Sequence, residues 1–307
     1  MSHRRALLLM LLVTLLWSMA GVVTRHLQDV RSFELTFWRS AFTLVFLSMV
    51  LGWQRGPALF RQLLLAPNLV RFSGLCWAVM FTAFMLALKL TSVANVLVTM
   101  ALAPLLTALF SRLFLHHKLP LRTWAAILLG SAGLAWMFSQ QLDTHANLQG
   151  IAVALCVPLA TATNWCLLQH AGQAPKAKHS DMPLALLLGA LLSAVATLPL
   201  ALPLQASVYD LSWLAGLGLF QLTLPCLLVV RLSRVLSGAE LSLLGLLEVI
   251  FGVLWAWLGA GEDPSSSTLV GGAMVLAALI GNELLARKIT SHAAMPIVST
   301  PNSRSQA

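Results

Sequence analysis

Charged residues are scarce in this chain: they make up 9% of its 307 residues, whereas hydrophobic residues make up 59%. A soluble domain usually carries about 25% charged residues. A chain this apolar has too few polar side chains to cover the surface of a soluble fold, so a soluble globular protein is excluded. The composition therefore predicts an integral membrane protein.

Paired cysteines and nucleotide-binding motifs are also lacking. The four cysteines fall inside apolar runs without CxxC or ligand-pair spacing, which supports neither a disulfide framework nor a metal site: Cys76, Cys156, Cys166 and Cys226. Neither G-x-x-x-x-G-K-[ST] nor G-x-G-x-x-G occurs, so ATP-driven transport within this chain is unsupported and we expect no cofactor. Four glycines are interpreted instead as close-packing positions between helices: Gly130, Gly133, Gly271 and Gly272.

The net charge of +9 does not indicate a nucleic-acid partner here. The basic residues lie mostly in loops between apolar runs, where membrane orientation explains them. If the N-terminus is cytoplasmic, the far side holds only Arg25, Arg31 and Lys89, with Arg39 just inside its boundary. The positive-inside rule then predicts that both termini lie in the cytoplasm.

Long apolar runs are what the sequence does contain. A helix that crosses a bilayer needs about 20 apolar residues, and uniformly apolar runs favour helices over barrel strands. The sequence therefore predicts an all-α integral membrane protein with ten transmembrane helices. The predicted spans are Ala6–Val23, Phe33–Trp53, Phe72–Leu90, Val93–Leu115, Thr123–Phe138, Leu148–Leu168, Pro183–Leu202, Leu211–Val230, Leu241–Ala260 and Thr268–Ala286.

An internal repeat organises these spans. A shift of about 145 residues, with no gap, carries Ala87–Met137 onto Leu232–Asn282, so that Lys89 meets Arg234. Each half holds five spans, an odd number, so the second half must enter the membrane upside down. The fold is thus predicted to be two inverted five-helix repeats. The predicted units are residues 6–140, residues 148–288 and a disordered cytoplasmic tail at 289–307.

Short motifs recur in the two halves. They are Ala94, Ala103-Pro104-Leu105 and Gly130-Ser-Ala-Gly133 in the first half, and Ala239, Leu247-Glu248-Val249, Gly261-Glu262 and Gly271-Gly272 in the second. Together with Trp17-Ser18, they resemble the EamA-type branch of the drug/metabolite transporter superfamily, from about Ala6 to Ala286. The resemblance implies ten helices in inverted halves. It also implies a carrier in a bacterial inner membrane that moves small metabolites, often amino acids or toxic compounds, usually outward.

The chain departs from that family's pattern at two places. The usual Gly-Glu after span four is His116-His117 here, and it survives only as Gly261-Glu262. The Glu-Pro often seen in span nine is Glu248-Val249, whereas Pro104 keeps the proline of span four. The resemblance therefore does not imply that the two halves bend equally.

Glu248 and Pro104 are the leading candidates for function. Glu248 lies about eight residues into span nine, roughly 12 Å deep, where an ionisable group is costly and functional by default. It is expected to bind a cationic or amino group of the substrate, or to carry a proton. The alternative is a protonated Glu that ties two helices together. Pro104 is a hinge candidate in span four, with a kink tolerated for packing as its alternative.

Other polar or aromatic side chains inside the spans have two interpretations. They line a substrate cavity, or they make interhelical hydrogen bonds worth about 0.6 kcal/mol each, or, for tryptophan, they lie at the membrane interface. The further candidates for substrate binding or proton coupling are Asn95, Trp17, Asn164, Gln221 and Asn282. Arg39 is expected to snorkel to the outer interface, with pairing to Glu34 or Asp29, or anion binding, as alternatives.

These features predict a secondary transporter that works by alternating access between inverted repeats. The expected partners are a small-molecule substrate and the lipid bilayer, and a homodimer is left open. One alternative is an intramembrane lipid-modifying enzyme, but the deep spans offer one carboxylate and no deep histidine. Another is a non-transporting membrane scaffold, in which Glu248→Gln would change little beyond stability.

Overall fold

The computed structural model describes residues 1–24, 26–28, 30–91, 93–139, 148–173, 181–260 and 264–293. Within these residues the regular structure is helical and contains no strand. In chain order the helices are α1 (His3–Ser18), α2 (Ala20–Thr24), α3 (Ser32–Arg55), α4 (Ala58–Leu64), α5 (Asn68–Leu90), α6 (Val93–Met100), α7 (Ala103–Phe114), α8 (Leu121–Phe138), α9 (Leu148–Gln173), α10 (Met182–Ala201), α11 (Val208–Gly216), a π-helix (Leu217–Thr223), α12 (Leu224–Leu232), α13 (Gly238–Gly245), α14 (Leu247–Ala260) and α15 (Ser266–Ala293).

Ten crossings can be traced through these helices, which confirms the predicted fold class. Span 1 is α1 with α2, span 4 is α6 with α7, span 8 is α11 to α12, and span 9 is α13 with α14. Spans 2, 3, 5, 6, 7 and 10 are α3, α5, α8, α9, α10 and α15. In the described part, nine segments are long and apolar enough to span alone. Span 1 is not among them because α1 ends at Ser18 after 16 residues.

The last helix is longer than the sequence predicts. Helix α15 continues to Ala293, because no glycine or proline interrupts the stretch after Ala286. It therefore extends into the region predicted as a disordered tail. The remainder of that tail, residues 294–307, lies outside the described residues.

The shift that aligns the two halves of the sequence also aligns their helices. Helix α6 corresponds residue for residue to α13, and the start of α8 corresponds to that of α15. The packing is repeated as well: span 3 packs on span 6 as span 8 packs on span 1, while spans 5 and 10 pair with each other. The bundle is thus built from two copies of one five-helix unit.

Polar contacts define two ends of this bundle. At one end the His3 ring contacts the Glu240 carboxylate at 3.2 Å. At the other, the far end, the Glu34 carboxylate accepts a hydrogen bond from the backbone N–H of Gln205 at 2.7 Å. We call the first the basic end because most arginines lie there. They include Arg4, Arg5, Arg55, Arg61, Arg71, Arg112, Arg122, Arg231 and Arg234.

Two buried apolar clusters hold the spans together. One, around Trp77 and Leu168, joins most of spans 1, 2, 3, 6, 7 and 8. The other, around Ile127 and Val275, joins spans 4, 5, 9 and 10. Burial is not confined to apolar side chains, and the polar groups that lie inside the bundle mark the candidate site.

Candidate substrate site

An arginine on span 2 and a glutamate on span 9 lie near each other inside the bundle. Arg39 is only 7% exposed, and its guanidinium interacts electrostatically with the Glu248 carboxylate. In the described residues the two do not form an ion pair within 4 Å. Glu248 is half-buried in the bundle.

Glu248 owes its position to a break in span 9. Helix α14 begins at Leu247, so Glu248 lies in the first turn of this half-helix. The N-terminus of a helix carries a partial positive charge and favours an anionic group. In many transporters, the ends of such discontinuous helices form the substrate site.

Arg39 is held where span 8 leaves α-helical geometry. The π-helix brings Gly218 against span 2, where a Cβ on this glycine would come within 2.7 Å of the Phe42 Cβ. The Thr43 hydroxyl donates to the carbonyl oxygens of Arg39 at 2.8 Å and Gly218 at 3.2 Å. Spans 2 and 8 are therefore tied together at the turn that carries Arg39. Such π segments often occur at functional sites.

Trp17 on span 1 completes the surroundings of the two charges. Its side chain lies beside the Cys226 thiol of span 8, which is near both charged groups. The Trp17 ring also stacks on Trp165 of span 6, with ring centroids 6.5 Å apart. The next residue, Ser18, accepts a hydrogen bond from the Trp255 indole of span 9 at 3.0 Å. We call four residues the central cluster: Trp17, Arg39, Cys226 and Glu248.

Gln221 lies at a cavity beside this cluster. The cavity has a volume of about 370 Å³ between spans 1 and 8, and its lining includes Met19, Val23, Trp213 and Gln221. Gln221 is 6% exposed, and its Oε1 has no hydrogen-bond partner among the described residues. A buried amide oxygen without a donor is unfavourable, so this atom suits a donor supplied by a ligand.

The three asparagine candidates do not join the central cluster. Asn164 is buried between spans 3 and 6, where its Oδ1 accepts a hydrogen bond from the Ser73 hydroxyl at 2.6 Å. Asn95 donates to the side chain of a threonine one turn earlier at 2.9 Å. Asn282 accepts a hydrogen bond from Thr123 at 3.1 Å, which joins spans 10 and 5. In this conformation Asn164 and Asn282 favour the interhelical hydrogen-bonding interpretation, whereas the bond of Asn95 is local.

Pro104 lies at a break in span 4 rather than at a bend in a continuous helix. Helix α6 ends at Met100 and α7 begins at Ala103, with Pro104 in the first turn. Span 9 breaks at the corresponding place, between Gly245 and Leu247, without a proline. The two halves are therefore interrupted alike, and the interruption of span 9 does not depend on a proline.

Arg39 is the site residue whose position the sequence analysis predicted wrongly. It does not snorkel to the interface but is buried among spans 2, 8 and 9. Pairing with Glu34 is also excluded, because one carboxylate oxygen of Glu34 accepts backbone hydrogen bonds at 2.7 and 2.8 Å and the other has no partner. Asp29 lies outside the described residues. The sequence did contain a signal for Arg39 as a site residue, because a charged residue within a membrane span is functional by default.

A ten-span bundle of inverted repeats around an internal polar cluster is the architecture of a multi-pass membrane transporter. A family model described as "EamA-like transporter family" matches residues 4–139 and 148–282. The two ranges cover most of the chain, so the protein belongs to the EamA-like transporter family.

Known structures share this fold. A solved chain described as "Crystal structure of protein" matches with a TM-score of 0.76 at 20% sequence identity. The match covers 94% of this chain and 99% of that chain, and at this identity it shows the fold alone. It is one of 29 solved chains that match. No curated protein matches the chain in sequence.

Proposed function

We propose that this protein is a secondary transporter that exports small metabolites, such as amino acids or toxic compounds, by alternating access. In this mechanism the two inverted halves exchange conformations, so that one site opens first to one side of the bilayer and then to the other. The central cluster is the proposed substrate site. The basic end is proposed to face the cytoplasm, so export would begin when that end opens.

The observation that carries this proposal is the arrangement of Arg39 and Glu248. Charges inside a membrane usually pair directly, because each one is costly to desolvate. These two interact electrostatically without ion-pair contact, and the Arg39 Nε has no partner among the described residues. Each charge thus offsets the other without a direct ion pair, so both groups can still bind the charges of a ligand.

A ligand with both an ammonium and a carboxylate group fits this arrangement. A guanidinium binds a carboxylate through two parallel hydrogen bonds, and Glu248 can accept hydrogen bonds from an ammonium group. The Trp17 ring adds an aromatic face that attracts cations. An amino acid would use both charges, whereas a toxic amine would use Glu248 with Trp17.

Counterflow in proteoliposomes tests the proposal. Exchange of labelled external substrate against trapped unlabelled substrate requires no knowledge of the coupling ion, and a panel of zwitterionic, cationic and anionic amino acids covers the charge classes. We expect exchange of zwitterionic compounds. Glu248→Gln and Arg39→Gln should each lower it by about ten-fold or more, because a hydrogen bond to a charged group is worth about 1.5–3 kcal/mol.

Two variants that remove the same charges elsewhere serve as controls. Glu283→Gln on span 10 and Arg61→Gln on α4 lie away from the central cluster. They should keep exchange within about two-fold of the wild type, as expected for peripheral substitutions. Wild-type exchange by folded Glu248→Gln and Arg39→Gln variants would contradict the proposed site. Absence of exchange across the whole panel would contradict the proposed substrates.

A further inference from the structure

The inverted repeats contain each interhelical interface twice, once towards each end of the bundle. The half of the interface between spans 3 and 6 that lies towards the basic end corresponds to the half of the interface between spans 8 and 1 that lies towards the far end. In the same way, the contact of span 6 with span 9 corresponds to that of span 1 with span 4. A fully symmetric carrier would have identical copies of each interface. Differences between the copies therefore report which end of the bundle is open.

The interface between spans 3 and 6 is closed. Ser73 and Asn164 are fully buried and joined by a hydrogen bond of 2.6 Å. The ring of Trp77, one helical turn after Ser73, meets the ring of Trp165, the residue after Asn164, edge to face with centroids 5.6 Å apart. Leu168 is also fully buried next to them. Side chains thus fill the space between these two spans.

The corresponding interface between spans 8 and 1 is open in its far half, although the two spans pack together towards the basic end. The cavity of about 370 Å³ lies between these spans. Several of its lining residues stand at positions that the repeat maps onto the closed interface. Met19 corresponds to Asn164, Val23 to Leu168 and Gln221 to Cys76. The cavity is therefore the open counterpart of a packed interface.

The interface between spans 6 and 9 is also closed, whereas its counterpart between spans 1 and 4 is not. At the basic end, the Gln169 Oε1 accepts a hydrogen bond from the backbone N–H of Gly238, the first residue of α13, at 2.8 Å. The fit is close, because a Cβ on Gly238 would lie 3.1 Å from the Trp165 carbonyl oxygen. At the far end, α2 and α6 do not pack comparably in the part of the chain that the structure describes.

Both differences indicate the same conformation. We propose that the structure is closed at the basic end and open at the far end, and that the side chains of Asn164 and Gln169 form the latch that keeps the basic end closed. The proposal rests on the alternating access proposed above. In the opposite conformation both latch hydrogen bonds are broken and spans 1 and 8 close over the cavity. Asn164 is then a positioning residue rather than a substrate ligand.

The chemistry of the two amides suits a latch that must release. Each uses its oxygen in the latch, whereas the Nδ2 of Asn164 and the Nε2 of Gln169 have no partner among the described residues. A buried N–H group without an acceptor is unfavourable, so the closed interface is less stable than a fully paired one would be. This latch can therefore hold the basic end shut without preventing a transport cycle.

Thiol labelling at two equivalent positions tests the latch. Leu168→Cys, at a fully buried position, reports on the closed copy, and Val23→Cys, at the equivalent position in the cavity lining, reports on the open one. Rates with a water-soluble methanethiosulfonate can be read separately by peptide mass spectrometry on the full-length protein. We expect Val23→Cys to label faster than Leu168→Cys. Asn164→Ala should raise the rate at Leu168→Cys and lower that at Val23→Cys, each by about five-fold, the equilibrium effect of one net hydrogen bond.

A second latch variant and a matched control sharpen the test. Gln169→Ala should shift both rates in the same directions, and it carries the test if Asn164→Ala does not fold. Thr123→Ala removes an interhelical hydrogen bond of 3.1 Å between spans 5 and 10, outside both interfaces, and should change neither rate. Faster labelling at both positions would mean general loosening and would overturn the latch, as would unchanged rates.

Labelling requires no substrate, so the latch and the proposed function can fail separately. Reciprocal changes in labelling without exchange in counterflow would support the latch and overturn the proposed substrates. Exchange that depends on Glu248, together with unchanged labelling in both latch variants, would overturn the latch alone.

Discussion

Two glycines set the distance between spans 5 and 10. A Cβ on Gly271 would lie 2.3 Å from the Gly133 carbonyl oxygen, and one on Gly133 would lie 2.7 Å from the Gly271 carbonyl oxygen. Backbone atoms at a helix crossing cannot move aside as the end of a side chain can. The interpretation of these glycines as close-packing positions is therefore confirmed. Gly272, in contrast, has only ordinary contact, with 3.5 Å from its would-be Cβ to the Ile250 Cδ1.

This difference predicts opposite outcomes for neighbouring substitutions. Gly271→Ala should lower the free energy of unfolding by about 1–3 kcal/mol, because overpacking forces the two backbones apart. Gly272→Ala, one residue away on the same helix, should be neutral or slightly stabilising because alanine favours helix. Thermal unfolding of both variants in one detergent measures the difference. Equal melting temperatures would contradict the predicted backbone contact.

From the sequence, a residue could be assigned to the site only where its depth in a predicted span was sufficient evidence. Glu248 stands out because a single carboxylate lies deep in an apolar span. Arg39 carries the same signal, but a nearby span end offered a simpler explanation, snorkelling. Snorkelling is ruled out by the packing of spans 2, 8 and 9 around Arg39. These spans belong to both repeats. No pattern within span 2 contains that information.

At the scale of helices, spans 4 and 9 break at equivalent places although only one has a proline. Helices α6 and α13 end at Met100 and Gly245, which the repeat maps onto each other. Pro104 fits the first turn of α7, where its missing N–H costs least. Because span 9 breaks without a proline, we expect the packing of the half-helices to maintain both interruptions. The sequence located the irregularity in span 4 at Pro104 and left a proline hinge and a packing kink as alternatives.

Replacing the proline tests this explanation. Pro104→Ala should leave counterflow exchange within about three-fold of the wild type, because tertiary packing keeps span 4 broken as it keeps span 9 broken. The measurement is the exchange rate per folded molecule, with the melting temperature as a check on folding. Loss of exchange in a folded Pro104→Ala protein would instead support the predicted proline hinge.

The π-helix of span 8 is the element that sequence patterns did not predict. Its residues continue an apolar run, and the corresponding part of span 3 is ordinary α-helix. The deviation depends on contacts with span 2, where Gly218 meets Phe42 and the Thr223 hydroxyl donates to the Gly218 carbonyl at 2.7 Å. An element defined by its neighbour in another repeat leaves no periodic signal in its own sequence.

At the scale of the whole molecule, a symmetric scaffold carries an asymmetric site. The repeat maps Arg39 onto Leu184 and Glu248 onto Ala103, so neither charge of the central cluster has a charged counterpart. The scaffold can exchange conformations between its halves while the substrate site stays single and central. Duplication accounts for how much of the fold could be predicted, and the departures from it account for the site.

The inverted arrangement makes a last prediction about the ends of the chain. Ten crossings return the C-terminus to the side of the N-terminus, and the arginines at the basic end favour the cytoplasm. A fluorescent protein, which folds only in the cytoplasm, should therefore fluoresce when fused to either terminus. Alkaline phosphatase, which requires an oxidising compartment, should be active only when fused after Ala206 at the far end. Termini on opposite sides would require an odd number of crossings, and the two repeats could not then be inverted copies.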